Sequence, residues 1–174
     1  MTDPKTGSQN EPEGHDDELL PFEKSIGYQI RTTNRLMTRY LQQKITPHGV
    51  TIGMWYFLRV LWRQDGLTQR ELSHIVGTME PTTLTAIKSM ERKGLVRRVK
   101  NGTDRRKINI YLTEQGSALR DELIPLAKEV VDDAVEGFSD RERAVFLEFL
   151  AAIQNNLTGR IEGDTATDVN PTAP

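Results

Sequence analysis

The sequence predicts a mainly α-helical protein that carries one small β-hairpin. Over most of 22–160, apolar residues recur at three- and four-residue spacing, which is the period of a helix. Between Val96 and Leu112 the period changes to two on either side of Asn101 and Gly102, which is typical of a hairpin and its turn. We therefore expect helices on both sides of a central hairpin.

One folded domain with two tails accounts for the composition of the chain. The 174 residues are 36% hydrophobic and 28% charged, which suits a single domain over 22–160. Polar, acidic, Pro and Gly residues with little to bury fill the segments outside it. We expect a mobile acidic tail over 1–21 and a second mobile tail over 161–174.

Several classes of protein are excluded by what the sequence lacks. No stretch approaches the roughly 20 apolar residues of a membrane helix, and because the first residues are acidic and polar we expect no secretory signal. We therefore expect a cytoplasmic protein without a membrane partner. The absence of cysteine excludes disulfides and thiol-based sensing. The three histidines are isolated from one another, so the sequence predicts no metal site. It contains no recognisable set of catalytic residues, and we therefore expect a protein that is not an enzyme and needs no cofactor.

Two long helices are expected at the start of the domain. The first spans about 22–45, because a Pro-His-Gly sequence that ends at Gly49 breaks the helical period. The second begins after Thr51 and ends near Gly66. Since this helix is apolar on several faces, we expect it to be the buried one.

Two shorter helices follow, and together they predict a helix-turn-helix. Thr68 and Glu71 form a capping box that begins a third helix, which stops at Gly77. Pro81 suits the first turn of a fourth helix that ends at Gly94. Helices of these lengths joined by a three- or four-residue turn form that motif. The residues expected to face inward are Leu72, Ile75 and Val76, then Leu84, Ile87 and Met90.

Two more helices are expected after the hairpin. Thr113 caps a fifth helix over about 114–135, and Ser139 with Glu142 is a second capping box that begins a sixth. The sixth helix has an apolar stripe formed by Val145, Phe146, Phe149, Leu150, Ile153 and Leu157. A helix this apolar needs a partner to cover it.

A strongly basic segment is hidden in the overall charge of −2. Between Thr82 and Lys107, nine basic residues stand against two acidic ones. Within it, the residues on the outer face of the fourth helix are Thr82, Thr85, Lys88, Ser89 and Arg92. Small hydroxyl side chains let a helix lie close to base edges, and Lys and Arg reach phosphates. This favours double-stranded DNA as a partner, with an ordinary solvated face as the alternative.

The run Leu67–Gly116 resembles the DNA-binding part of the MarR (multiple antibiotic resistance regulator) family. The resemblance rests on LTQ at its start, ERKGLV after the fourth helix, DRR at the hairpin tip and LTEQG at its end. The order of the helices extends it to about 22–160. It implies a winged helix-turn-helix fold, with a DNA-binding lobe over 51–113 and dimerisation helices over 22–50 and 114–160 that interlock in a homodimer.

The resemblance also implies roles for the hairpin tip, which would act as the wing. Arg106 would enter the minor groove while Asp104 holds its side chain, and a narrow A·T-rich groove favours a guanidinium. Arg105 and Lys107 would reach phosphates. The alternative is a solvated run of charges.

Members of the family are typically repressors that small, often aromatic or anionic ligands release from DNA. The candidate ligand-binding residues are Arg39, His48, Trp55, Tyr56 and Arg59. For the aromatic residues the alternative is a place in the core, and for each arginine it is a surface ion pair.

These observations predict a ligand-responsive transcriptional regulator that acts as a repressor. A homodimer would bind a palindromic operator, and an aromatic carboxylate or its coenzyme A thioester would release it. The alternative is a winged helix used for protein contacts, without an effector.

Overall fold

The computed structural model describes residues 21–167 and confirms a mainly helical fold with a small antiparallel sheet. The α-helices of this region are α1 (Ile26–Ile45), α2 (Ile52–Arg63), α3 (Gln69–Val76), α4 (Glu80–Arg92), α5 (Glu114–Ala134) and α6 (Asp140–Thr167). The strands are β1 (Leu67–Thr68), β2 (Val96–Lys100) and β3 (Ile108–Leu112). Single turns of 3-10 helix span Phe22–Lys24 and Thr46–His48.

The two predicted tails fall mostly outside the described residues, which exclude 1–20 and 168–174. Helix α6 extends to Thr167, so it continues past residue 160, where the sequence predicts the second tail to begin. Polar composition alone does not end a helix, and no proline lies between 161 and 167 to stop this one.

The break between the first turn and α1 comes from Ser25. Its hydroxyl accepts a hydrogen bond from the backbone N–H of Tyr28 at 3.3 Å and so caps α1. The predicted helix over 22–45 is therefore divided into a short turn and α1. At the other end, the Gln42 Oε1 atom accepts a hydrogen bond from the Ile52 N–H at 2.8 Å, which fastens α1 to the start of α2.

The sheet contains one strand that the sequence analysis did not predict. Its order is β1-β3-β2, and both pairs are antiparallel, with Ile110 opposite Leu67 on one side and Arg98 on the other. β2 and β3 match the predicted hairpin. β1 has only two residues, which is too short to show the alternation from which a strand is predicted.

The helix-turn-helix is formed by α3 and α4, and the capping box of Thr68 and Glu71 is present. Leu72 is buried as predicted, but the prediction for Ile75 was wrong, since 53% of its surface is exposed. Leu72 and Ser73 define the inner face of this short helix. Ile75 lies two positions beyond Ser73, a rotation of about 200°, and therefore faces outward.

A cluster of three hydroxyl groups, of which those of Ser73 and Thr83 are buried, joins α3 to α4. The Thr83 Oγ1 atom lies 2.7 Å from Ser73 Oγ and 2.8 Å from Thr78 Oγ1, and Thr83 is fully buried. The inner face of α4 is thus Thr83, Ile87 and Met90, with Leu84 only partly covered. Because buried hydroxyls need partners, this cluster restricts how α4 can lie against α3.

The hydrophobic core is centred on α2, as its apolar sequence predicts. Its buried side chains are Met54, Trp55, Phe57, Leu58 and Leu61. They pack with Ile45 from α1, Ile87 and Met90 from α4, Ile110 from β3 and Leu123 from α5. This core holds the helix-turn-helix and the hairpin in one winged helix lobe.

Helices α1 and α5 pack against each other as well as against this lobe. α5 lies along α1, where the Tyr40 hydroxyl donates to Asp133 Oδ2 at 2.7 Å and Lys44 pairs with Glu129. α6 begins at the predicted capping box of Ser139 and Glu142. Within the part of the chain that the structure describes, no helix has the length and apolar character needed to cross a membrane.

Candidate nucleic-acid interface and ligand cleft

The outer face of α4 is open to solvent at the residues that the sequence analysis selected. Thr82, Thr85, Lys88 and Arg92 are exposed, and Ser89 is half-buried. The three hydroxyl residues of this set line a shallow cleft of about 370 Å³ against the start of α2, at Thr51 and Gly53. The face therefore has a hydroxyl-rich side towards α2 and a basic side formed by the other two residues.

The wing presents an arginine that is bound at its base and free at its tip. The Asp104 Oδ1 atom accepts hydrogen bonds from the Arg106 backbone N–H at 3.1 Å and from Nε at 3.2 Å. The Arg106 side chain is nevertheless 92% exposed. These bonds, that from the side chain first, lower the pKa of the Asp104 carboxyl, so the carboxylate stays charged.

Besides Arg106, other basic residues of the segment make contacts within the protein, and the Arg97 guanidinium lies 4.9 Å from the centroid of the Tyr111 ring. Arg98 Nε pairs with Glu91 Oε2 at 2.8 Å, and Lys93 Nζ donates to the Gly49 carbonyl at 2.8 Å. Arg105 and Lys107 are exposed beside Arg106. Exposed positive charge is therefore found at the wing tip and on the outer face of α4, and also on β2 at Arg97 and Lys100.

Three of the five candidate ligand-binding residues meet at one cleft. Trp55, Tyr56 and Arg59 line a space of about 550 Å³ between α1, α2 and α5. The Arg59 guanidinium lies 5.7 Å from the centroid of the Trp55 ring. Trp55 is also almost fully buried, so its ring belongs to both the core and the cleft wall.

The structure does not bring the other two candidates to this cleft. Arg39 lines an adjoining groove beside Tyr40 and Asp133, which shares Met37 and Val130 with the cleft. The His48 Nδ1 atom lies 2.8 Å from Glu122 Oε2, so its ring joins the turn after α1 to α5.

Sequence reasoning missed the part of the cleft that other helices supply. Asn34 and Thr38 enter it from α1, and Lys128 and Asp132 enter it from α5. Each is an ordinary surface residue in its own helix pattern, and only the packing of α1 on α5 gives it a place in the cleft. In residues 21–167, no group of three metal-ligating side chains lies close enough to hold an ion.

Comparison with known proteins agrees with this geometry. The MarR family model matches residues 50–108, which include the helix-turn-helix and the wing. The HTH-type transcriptional regulator YsmB of Bacillus subtilis, itself uncharacterized, is 30% identical over 132 residues. That match covers 74% of this chain and 90% of the relative.

Solved structures give the same result. A MarR transcriptional regulator from Methanosarcina mazei Go1 is 30% identical, with a TM-score of 0.71 over 76% of this chain and 96% of the other. MepR from S. aureus, solved in a complex with DNA, is 25% identical, with a TM-score of 0.71 over 76% and 98% of the two chains. With a 30% identical MarR regulator covered over 96% of its length, the chain belongs to the MarR family of winged helix transcriptional regulators.

Proposed function

We propose that this protein is a repressor that binds a roughly palindromic operator as a homodimer and is released by a small anionic ligand. The observation that carries the DNA-binding part is the wing tip, where Asp104 holds an otherwise exposed Arg106. The similarity to MepR, whose structure was solved in a complex with DNA, also supports DNA binding.

Each part of the fold has a role in this proposal. The lobe over 51–113 would bind DNA, with Thr82, Thr85 and Ser89 at base edges and Lys88 and Arg92 at phosphates. The segments 22–50 and 114–160 would form the dimer. Two-fold symmetry would then place the two copies of α4 in successive major grooves, about 10 base pairs apart.

The wing is tested by two substitutions that change its charge in opposite directions. Arg106→Ala is expected to weaken operator binding by about 1 to 3 kcal/mol, the scale of a good groove contact. Asp104→Asn makes the tip more positive, so charge alone would tighten binding. We expect it to weaken binding instead, because the charge-assisted hydrogen bond from the Arg106 side chain becomes a weaker neutral one that orients the guanidinium less firmly. Fluorescence anisotropy with a labelled operator measures both.

The matched control is Arg105→Ala, which removes the same charge from the neighbouring residue. It is expected to weaken binding to all DNA sequences alike and to reduce the slope of log affinity against log salt concentration by about one. An operator affinity that Arg106→Ala leaves unchanged would refute the proposed wing. A complete lack of salt-dependent DNA binding would favour a winged helix that contacts protein.

The effector would occupy the cleft between α1, α2 and α5. Trp55, Met37 and Leu41 give it apolar and aromatic walls, while Arg59 and Lys128 can meet an anion. An aromatic carboxylate, free or as a coenzyme A thioester, has this combination of properties. It would act by stabilising a dimer in which the two copies of α4 are spaced wrongly for the operator.

Binding of the ligand is expected to lower the affinity of the protein for its operator by about 1 to 3 kcal/mol. Linkage then requires bound operator to lower the affinity for the ligand by the same amount. Calorimetry with a panel of benzoates, cinnamates and their thioesters, with and without operator, measures both. Arg59→Ala should lower the affinity for the ligand and leave the affinity for DNA unchanged. Arg39 lies outside the cleft, so Arg39→Ala should change neither affinity. If no compound binds, or if one binds equally with and without operator, the sensor proposal fails.

A further inference from the structure

We propose that Asn101 and Asn109 are positioning residues that hold the wing tip in the orientation in which Arg106 meets DNA. Their two side-chain amides form a hydrogen-bonded relay from the lobe to the tip, and we call it the amide relay. The inference rests on the proposed function, because it assigns these residues an effect on DNA binding that acts through Arg106.

The amide relay begins at a backbone carbonyl and ends at the Arg106 side chain. Asn109 Nδ2 donates to the Gly66 carbonyl at 2.6 Å, and Asn101 Nδ2 donates to Asn109 Oδ1 at 2.9 Å. Asn101 Oδ1 then accepts from the backbone N–H groups of Thr103 and Asp104, both at 2.9 Å. Asp104 in turn accepts from Arg106. Each link therefore orients the next one.

The starting point of the relay is fixed in the fold. The Gly66 N–H donates to the Ile110 carbonyl at 3.0 Å, so Gly66 is bound to β3 through both of its backbone groups. Its φ of +75° favours glycine, and a Cβ there would lie 2.6 Å from Tyr111 Cε1. The amide relay thus connects the wing tip to Gly66, a residue that is fixed in the lobe and that no other amino acid replaces without strain.

An asparagine is suited to each place because an amide donates at one end and accepts at the other. A carboxylate at 109 would set an oxygen against the Gly66 carbonyl, and an aliphatic side chain would break the relay. Without it, the backbone bonds that remain within 101–107 are Asn101 N–H to Lys107 O and Lys107 N–H to Asp104 O. These close the loop upon itself and do not tie it to the lobe.

The test is a double-mutant cycle that measures operator affinity. Asn109→Leu leaves the charge and the tip sequence unchanged, and we expect it to weaken binding about fivefold to tenfold, part of the loss caused by Arg106→Ala. In the Arg106→Ala background the same substitution should have almost no effect, because the residue through which it acts is gone. Thr103→Ala is the matched control, since its side chain makes none of these bonds, and it should leave affinity unchanged.

A second variant and a second measurement keep the test decisive if Asn109→Leu folds poorly. Asn101→Ser introduces a hydroxyl that can accept from the N–H groups of Thr103 and Asp104 but cannot reach Asn109. In the double-mutant cycle with Arg106→Ala it should give the same result as Asn109→Leu. In the free protein, amide hydrogen exchange over 101–107 should become faster in both variants. Unchanged exchange, or losses of affinity that add fully to that of Arg106→Ala, would overturn the inference.

The two proposals fail in different ways. If Arg106→Ala leaves affinity unchanged, the proposed wing contact fails and the relay inference fails with it. If Arg106→Ala weakens binding while Asn109→Leu and Asn101→Ser do not, the wing contact stands and only the relay inference is overturned.

Discussion

Gly116→Ala is expected to destabilise the fold by about 3 kcal/mol, at the upper end of the usual range for overpacking. A Cβ at this position would lie 2.0 Å from the Leu95 carbonyl oxygen and 3.0 Å from its carbon, so the obstacle is backbone and cannot rotate away. Moving α5 outward would stretch two further bonds. These are Trp62 Nε1 to the Gly116 carbonyl, at 2.9 Å, and the Thr113 N–H to the Leu95 carbonyl, at 3.1 Å.

Thermal denaturation at equal protein concentration measures this loss, which corresponds to a fall of roughly 10 °C in Tm. The control is Gly53→Ala, another glycine in the first turn of a helix, where a Cβ would meet only Thr51 Oγ1 at 3.9 Å. That variant should be neutral or stabilised by about 0.5 to 1 kcal/mol. An unchanged midpoint for Gly116→Ala would show that α5 can shift without loss.

Phe149→Glu is expected to convert the dimer into a monomer. In the single chain Phe149 is 65% exposed on α6, and Ile26 on α1 is exposed to the same extent. An obligate interface of more than roughly 2,000 Å² would cover both. Losing the burial of one phenylalanine costs about 2 kcal/mol, and two-fold symmetry doubles it, so dimerisation weakens about a thousandfold before any penalty for the charge.

Sedimentation at micromolar concentration separates the two states. Asn155→Glu places the same carboxylate on the opposite face of α6, about 180° from the centre of the stripe, and should remain dimeric. A well-folded wild-type monomer, or a Phe149→Glu dimer, would contradict the proposed interface.

Most helix boundaries could be predicted because they depend on neighbours in sequence. The capping boxes of Thr68 with Glu71 and of Ser139 with Glu142 are local devices, and both are present. Features that depend on tertiary packing were not predicted. Thr83 has no apolar signal, yet it is fully buried because Ser73 and Thr78 satisfy its hydroxyl.

The candidate site shows the same division. Asp104 and Arg106 are two residues apart, and the pair was predicted from that motif. The cleft joins Asn34 from α1, Tyr56 from α2 and Lys128 from α5, which meet only after the helices pack. No pattern within one segment could have selected the first and the last of these.

Helix α2 links the cleft to the wing, and this limits how the protein can acquire new specificity. Its side chains Tyr56 and Arg59 line the cleft, and the turn that follows it supplies the Gly66 carbonyl at the base of the amide relay. Changes in α2 that alter ligand preference would therefore also disturb DNA affinity. Asn34 and Thr38 line the same cleft from α1, which is fastened to α2 at Gln42 but supplies no link of the amide relay. A new effector response obtained by changing Asn34 or Thr38 would therefore leave the amide relay intact.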